Sequence, residues 1–178
     1  MALCKRQETA SDWYEMSDVI GVNTPHVSWT IPEAEEREVA ALGSAKGTAW
    51  FDMPSLRVHA DEEPPARPED RKGLPGAVSS VHRMVEELVA SGLPSSRIVL
   101  GGFCQGGAVA LVAALQCPYK LGGVASLSSW LPTCCPNPHR ANKGIEVLLL
   151  HGQNDDQITP AAAEAPSTPT MVVEHIVD

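Results

Sequence analysis

Aromatic side chains are scarce, at 4% of the chain, with two Phe, two Tyr and four Trp. A core built mainly on large rings is therefore excluded. Ala, Val and Leu must supply most of the buried mass, which suits a sheet packed by helices. Long apolar runs are also missing: none approaches the ~18–20 residues that a bilayer crossing needs. Residues 1–8 carry no apolar signal region, so secretion by that route is not expected and the expected compartment is the cytoplasm. Positive charge is the third shortage. Lys and Arg number 13 against 22 Asp and Glu, a formal net charge of -9. Such a surface repels phosphate backbones, which argues against a nucleic-acid partner. A disulfide framework is lacking as well, because the five cysteines (Cys4, Cys104, Cys117, Cys134 and Cys135) are odd in number and irregular in spacing. Cys134 and Cys135 with His139 make a poor metal site: adjacent cysteines rarely meet one ion tetrahedrally, and no fourth ligand is evident. No metal is expected. Cys4, beside Lys5 and Arg6, reads as a lipidation candidate or, more simply, as an unmodified cysteine near the terminus.

What is present points to one domain over residues 1–178, because the length suits a single unit and 43% hydrophobic residues suffice for a sizeable core. There is no internal repeat, and the first eighteen residues show no clear period. Residues 27–31 read as a short strand stopped by Pro32, and residues 33–38 as an acidic, solvated segment. Ala49-Trp50-Phe51-Asp52 is a compact apolar cluster. Residues 54–75 hold five prolines and many charges and read as a long surface loop. Val78, Val81, Val85 and Leu88 then recur at helical spacing, with Met84 and Val89 widening the stripe, and Gly92 fits a helix stop. Residues 97–103 (RIVLGGF) read as a buried strand and residues 106–117 (GGAVALVAALQC) as a buried helix ended by Pro118. Further strands are expected at 123–128, 145–150 and 171–177. Such alternation implies right-handed crossovers and a mainly parallel sheet, with reactive groups gathered beyond the carboxyl ends of the strands.

The most specific local pattern is Gly102-Phe103-Cys104-Gln105-Gly106, a nucleophile position between two glycines, with a buried strand before it and a buried helix after it. The central residue of such a bend is strained and projects from the sheet. Its neighbours must be small so that strand and helix can approach closely. The backbone N–H of Gln105, opening the helix, points where an oxyanion would form. The helix N-terminus favours a thiolate at residue 104, and a thiolate outdoes a neutral hydroxyl as a nucleophile. The competing reading is a small buried cysteine at a strand end.

The longer stretch Leu93-Pro-Ser-Ser-Arg-Ile-Val-Leu-Gly-Gly-Phe-Cys-Gln-Gly-Gly-Ala resembles the acyl-protein thioesterase and phospholipase/carboxylesterase family, which has serine where this chain has Cys104. Similar in the same way, and in family order, are Pro25-His26-Val27 leading to Pro32, Ala49-Trp50-Phe51-Asp52, Leu127-Ser128-Ser129-Trp130-Leu131-Pro132, and His151-Gly152 followed by Asp155. The resemblance implies a three-layer α/β-hydrolase fold with a mainly parallel sheet, trimmed here at both ends. It implies hydrolysis of thioesters on S-acylated proteins (depalmitoylation) or of small esters and lysophospholipids. It implies no cofactor, and at most transient contact with a membrane surface. Cysteine at the bend also resembles dienelactone hydrolase, which shows that the fold can run on a thiolate.

By the same resemblance Asp155, in His-Gly-x-x-Asp, is the acid that orients a histidine base. Asp156 is its rival and His151 is structural. A turn acid that caps a helix or faces water is the plain alternative for Asp155. Triad order in this fold is nucleophile, acid, histidine, and only His175 follows Asp155. His175, however, falls on the last expected strand, whereas the family's base lies in the loop after it, past Asp178. Residues 1–20 match poorly, and the family's His-Gly-Leu-Gly-Asp loop, which gives the second oxyanion N–H, has no counterpart there. Trp50 and Trp130 resemble positions lining the acyl region, with ordinary core packing as the alternative. Three functions follow as expectations: an ester or thioester hydrolase using Cys104; a non-catalytic remnant that binds acyl groups or is acylated without turnover; and a redox-sensing thiol.

Overall fold

The computed structural model describes residues 2–3, 10–58, 70, 72–132, 139–163 and 172–177. Its centre is a five-stranded sheet of β1 (Ala2–Leu3), β4 (Val99–Phe103), β5 (Gly123–Leu127), β6 (Val147–Gly152) and β7 (Val172–Val177), adjacent in that order. Every pairing is parallel. One row runs straight across four strands, pairing Phe103 with Leu127, Leu127 with Leu150, and Leu150 with His175. The carboxyl ends of these strands therefore lie on one edge of the sheet.

Between β4 and β5 the chain crosses over through α3 (Gln105–Gln116), buried at every position from Gln105 to Leu115. A helix made of Gly, Ala, Val and Leu has no polar face to offer water, so it can only be an inner helix. It sits between the sheet and α2 (Gly73–Ala90), which turns Leu74, Ala77, Val78, Val81 and Val85 inward. Gly92 ends that run in the left-handed region, at φ 96°, as its place after the apolar stripe predicted. On β4, Leu100 and Gly102 are buried while Gly101 and Phe103 are half-buried. The Phe103 ring meets Trp13 of α1 (Ala10–Gly21) at a centroid distance of 6.0 Å. Successive strand residues face opposite sides, so α1 lies across the sheet from α3 and completes three layers.

Two local expectations fail, and two elements form where none was expected. Residues 27–31 have no ladder partner and form no strand. Ile31 is buried and packs with half-buried Trp29 and Trp13, so the alternation reflects a loop segment laid over a small apolar cluster. The acidic stretch is mostly exposed, as expected, but also contributes a strand: β2 (Glu36–Val39) pairs antiparallel with β3 (Ala45–Thr48). Only Val39 of β2 is buried, so the hairpin carries almost no hydrophobic period. Residues 10–21 form α1 although no clear period marks them, because exposed Val19 and Ile20 blur the stripe that Trp13 and buried Ser17 follow. The long loop is partly inside as well: Val58 is fully buried and bridges Ile158. Residues 59–69 and 71 of that loop lie outside the described residues.

Candidate active site

Cys104 stands between the end of β4 and the start of α3 with φ 51° and ψ -120°. A residue with a Cβ pays about 1–3 kcal/mol for such a conformation, which persists only where the surroundings enforce it. The enforcement is visible on both sides. The Cys104 N–H donates to the Leu127 carbonyl at 2.9 Å. The Cys104 carbonyl accepts from the Ala108 N–H at 3.2 Å and from the Ser129 hydroxyl at 2.6 Å. A Cβ on Gly102 would stand 2.3 Å from the Gly106 carbonyl carbon and oxygen and 2.6 Å from the Gly107 nitrogen, so only glycine lets strand and helix meet here. Cys104 itself is half-buried. Cys117, in contrast, is fully buried. Burial, with Glu86 nearby, pushes its thiol up and outweighs a hydrogen bond from the backbone at Tyr119. Buried and protonated, it is a poor nucleophile.

Gln105 opens α3, where a backbone N–H has no intrahelical acceptor, and Cys104 precedes it directly. Its side chain has a role that the motif alone did not suggest. It is fully buried, accepts from the Trp50 N–H at 2.9 Å and donates to the Phe51 carbonyl at 2.7 Å. The amide thus pins the Trp50-Phe51 segment to the start of α3. Trp50 and Trp130 are 6% and 0% exposed, and Phe51 meets Trp130 edge-on with centroids 6.4 Å apart. Asp52 accepts from the Ala40 N–H at 2.8 Å and donates its own N–H to Asp70 at 3.0 Å. Asp70 also receives the N–H groups of Lys72 and Gly73 at 2.9 and 2.8 Å, capping α2. Burial opposes its charge, but these N–H groups and nearby Arg37 outweigh it and hold the carboxyl below its ordinary value.

Asp155 lies in the loop after β6. One carboxylate oxygen accepts from the N–H groups of Gln157 and Ile158 at 3.0 and 2.9 Å. The other is 3.6 Å from Nε2 of His151. His151 is buried, with Nε2 2.7 Å from the Ile158 carbonyl, a structural position. Asp156 is exposed. His175 lies within β7, on the Phe103 row and three strands from β4, about 14 Å at ~4.8 Å per strand. Its side chain is outside the described residues, as are Cys4, Cys134, Cys135 and the whole 4–9 segment between β1 and α1. His139 accepts the Ala141 N–H on Nδ1 at 3.2 Å, capping a 3₁₀ turn.

A parallel sheet between helix layers, with a strained nucleophile-type residue at a glycine-framed bend between strand and helix, defines an α/β-hydrolase. The Phospholipase/Carboxylesterase family profile matches residues 8–171, and the chain belongs to that family. Acyl-protein thioesterase 1 of Gibberella zeae is 34% identical over 134 residues, covering 72% of this chain and 56% of that protein. Acyl-protein thioesterase 1 of Schizosaccharomyces pombe is 31% identical over 153 residues, covering 84% and 65%. The chain thus spans about three-fifths of the length of these curated relatives. Among solved structures, Arabidopsis thaliana SOBER1 superposes with TM-score 0.87 at 24% identity, covering 98% of this chain and 85% of that one. Acyl-protein thioesterase 2 of Zea mays gives 0.67 at 21% identity, covering 98% and 82%. At these identities the superpositions establish the fold.

Proposed function

We propose that this chain is a carboxylic-ester or thioester hydrolase whose nucleophile is Cys104. The observation that carries this reading is the strained Cys104 backbone, φ 51° and ψ -120°, held at the junction of β4 and α3. The Cys104 thiolate adds to the acyl carbonyl, and the charge forming on oxygen faces the Gln105 N–H. The tetrahedral adduct collapses, the alcohol or thiol leaves as its anion and takes a proton from solvent, and the acyl group stays on sulfur as a thioester. Water then attacks that thioester, releasing the acid and regenerating Cys104. Asp155 orients the base for this second half, and His175 is the one histidine after it in the chain. Trp50 and Trp130 are 6% and 0% exposed and pack within the core, so neither is given an acyl-binding role. Family membership and the names of the relatives favour acylated proteins, small esters or lysophospholipids as substrates. A short-chain p-nitrophenyl ester and an acyl-thioester test the reading. Turnover by the wild type and none by Cys104→Ala is expected; equal turnover by both refutes it.

A second reading has an observation of its own. His175 belongs to β7, three strands across from β4, and deacylation needs a base near the acyl group. On this reading Cys104 takes the acyl group and keeps it. Stoichiometric acylation with no further release supports it, and repeated turnover excludes it.

A further inference from the structure

The peptide unit that joins Cys104 to Gln105 has two ends with different duties. One end is the Cys104 carbonyl and the other is the Gln105 N–H. A trans peptide is planar, with the two groups pointing in opposite directions, so whatever fixes the carbonyl also aims the N–H. The shortest bond to that carbonyl comes from the Ser129 hydroxyl, at 2.6 Å, against 3.2 Å from the Ala108 N–H. Ser129 is 4% exposed and Cys104 half-buried, so the bond is partly shielded from water, which strengthens it.

Two further features bring Ser129 there. Ser128, just past β5, has φ 42° and, like Cys104, is a non-glycine residue with positive φ. Its N–H is held by the Leu150 carbonyl at 2.8 Å. This bend turns the chain back over the start of α3. There Gly107 leaves the space: a Cβ on it would stand 2.6 Å from the Ser129 Cβ and 2.7 Å from its Oγ. The strained residues Cys104 and Ser128 therefore follow neighbouring strands, and Ser129, next to Ser128, joins the two bends by its hydrogen bond to the Cys104 carbonyl.

We infer that Ser129 is a positioning residue which, by holding the Cys104 carbonyl, aims the Gln105 N–H at the acyl oxygen. This rests on the reading of Cys104 as the acyl acceptor. Donation to the carbonyl also polarises the peptide and strengthens its N–H as a donor. A structural role alone would protect only the fold, whereas aiming an oxyanion donor separates two reactions of the same sulfur. Acylation builds negative charge on a carbonyl oxygen and needs the N–H; alkylation by iodoacetamide displaces iodide and does not.

The experiment compares both reactions at Cys104 in wild type and Ser129→Ala, with p-nitrophenyl butyrate as acyl donor and peptide mass mapping to locate each adduct. Acylation is expected to slow about 10-fold or more, part of the ~10²–10³ that outright loss of an oxyanion donor costs. Alkylation is expected to stay within about twofold, because it bypasses the oxyanion. Ser129→Cys keeps the side chain's shape but exchanges a strong donor for a weak one, and it carries the comparison if the alanine variant does not fold. In the free protein, the Cys104 carbonyl ¹³C and Gln105 amide resonances are expected to move in either variant. Unchanged acylation in Ser129→Ala, or acylation and alkylation falling together, overturns the role of Ser129 alone. A wild type that is alkylated at Cys104 but never acylated overturns the hydrolase reading and this role with it.

Discussion

Replacing Gly102 by alanine isolates the geometry on which the site depends. The new methyl would sit 2.3 Å from the carbonyl carbon and oxygen of Gly106 and 2.6 Å from the Gly107 nitrogen. These are backbone atoms of the first turn of α3, so no rotamer change relieves the overlap. Overpacking typically costs about 1–3 kcal/mol, and with backbone on the other side the upper end applies, about 3 kcal/mol. For a domain of this size that is a fall in Tm of roughly 6–12 °C. The paired control is Gly76→Ala in α2, where an added Cβ meets nothing within 4 Å. There the same substitution should stabilise by about 0.5–1 kcal/mol, the usual gain of Ala over Gly in a helix. Urea unfolding of both variants against wild type reads out the two signs. A midpoint for Gly102→Ala at or above the wild-type value refutes the claim that strand and helix touch through this glycine.

Removing the Gln105 amide as Gln105→Leu orphans the Trp50 N–H and the Phe51 carbonyl, both buried partners. At about 1–3 kcal/mol per unsatisfied group, a loss of roughly 2–6 kcal/mol is expected in chemical denaturation. Asp70→Ala removes the cap of α2 and should cost about 1–2 kcal/mol at pH 7. Because folding lowers the Asp70 carboxyl's pKa, the unfolded chain binds more protons across the acid range. The contribution of Asp70 is therefore present above about pH 4 and fades as pH falls through the lowered folded value. Wild type and variant should converge in stability as the solution is acidified below the ordinary carboxylate range. Native alkylation at neutral pH should label Cys104 and spare buried Cys117, which becomes reactive only after unfolding; mass mapping with and without urea distinguishes them.

The parts legible in the sequence were those with dense, regular patterns. The β4-α3-β5 unit could be read because α3 is apolar on every face and two glycines frame Cys104. The strands β6 and β7 showed as short β-branched and leucine-rich runs. The β2-β3 hairpin and α1 were hidden because each buries too few side chains to leave a period. The run at 27–31 shows the converse, an alternation without a sheet. At the site, residue 104 was marked by its neighbours, but the task of the Gln105 amide, its bonds to Trp50 and Phe51, was not. Nor was the grip of Ser129 on the Cys104 carbonyl. Both join segments far apart in the chain, and no local spacing encodes them. The doubled glycine at 106–107 was the available clue to Ser129, since a second small residue implies something packed close above it.

Intact-mass measurement during reaction with a short-chain p-nitrophenyl ester tests most directly whether this chain transfers acyl groups through residue 104. Acyl transfer predicts a single acyl adduct that maps to Cys104, is cleaved by neutral hydroxylamine as a thioester, and is absent from Cys104→Ala. An adduct of equal yield in Cys104→Ala, or none on Cys104 in folded protein whose thiol still reacts with iodoacetamide, contradicts it.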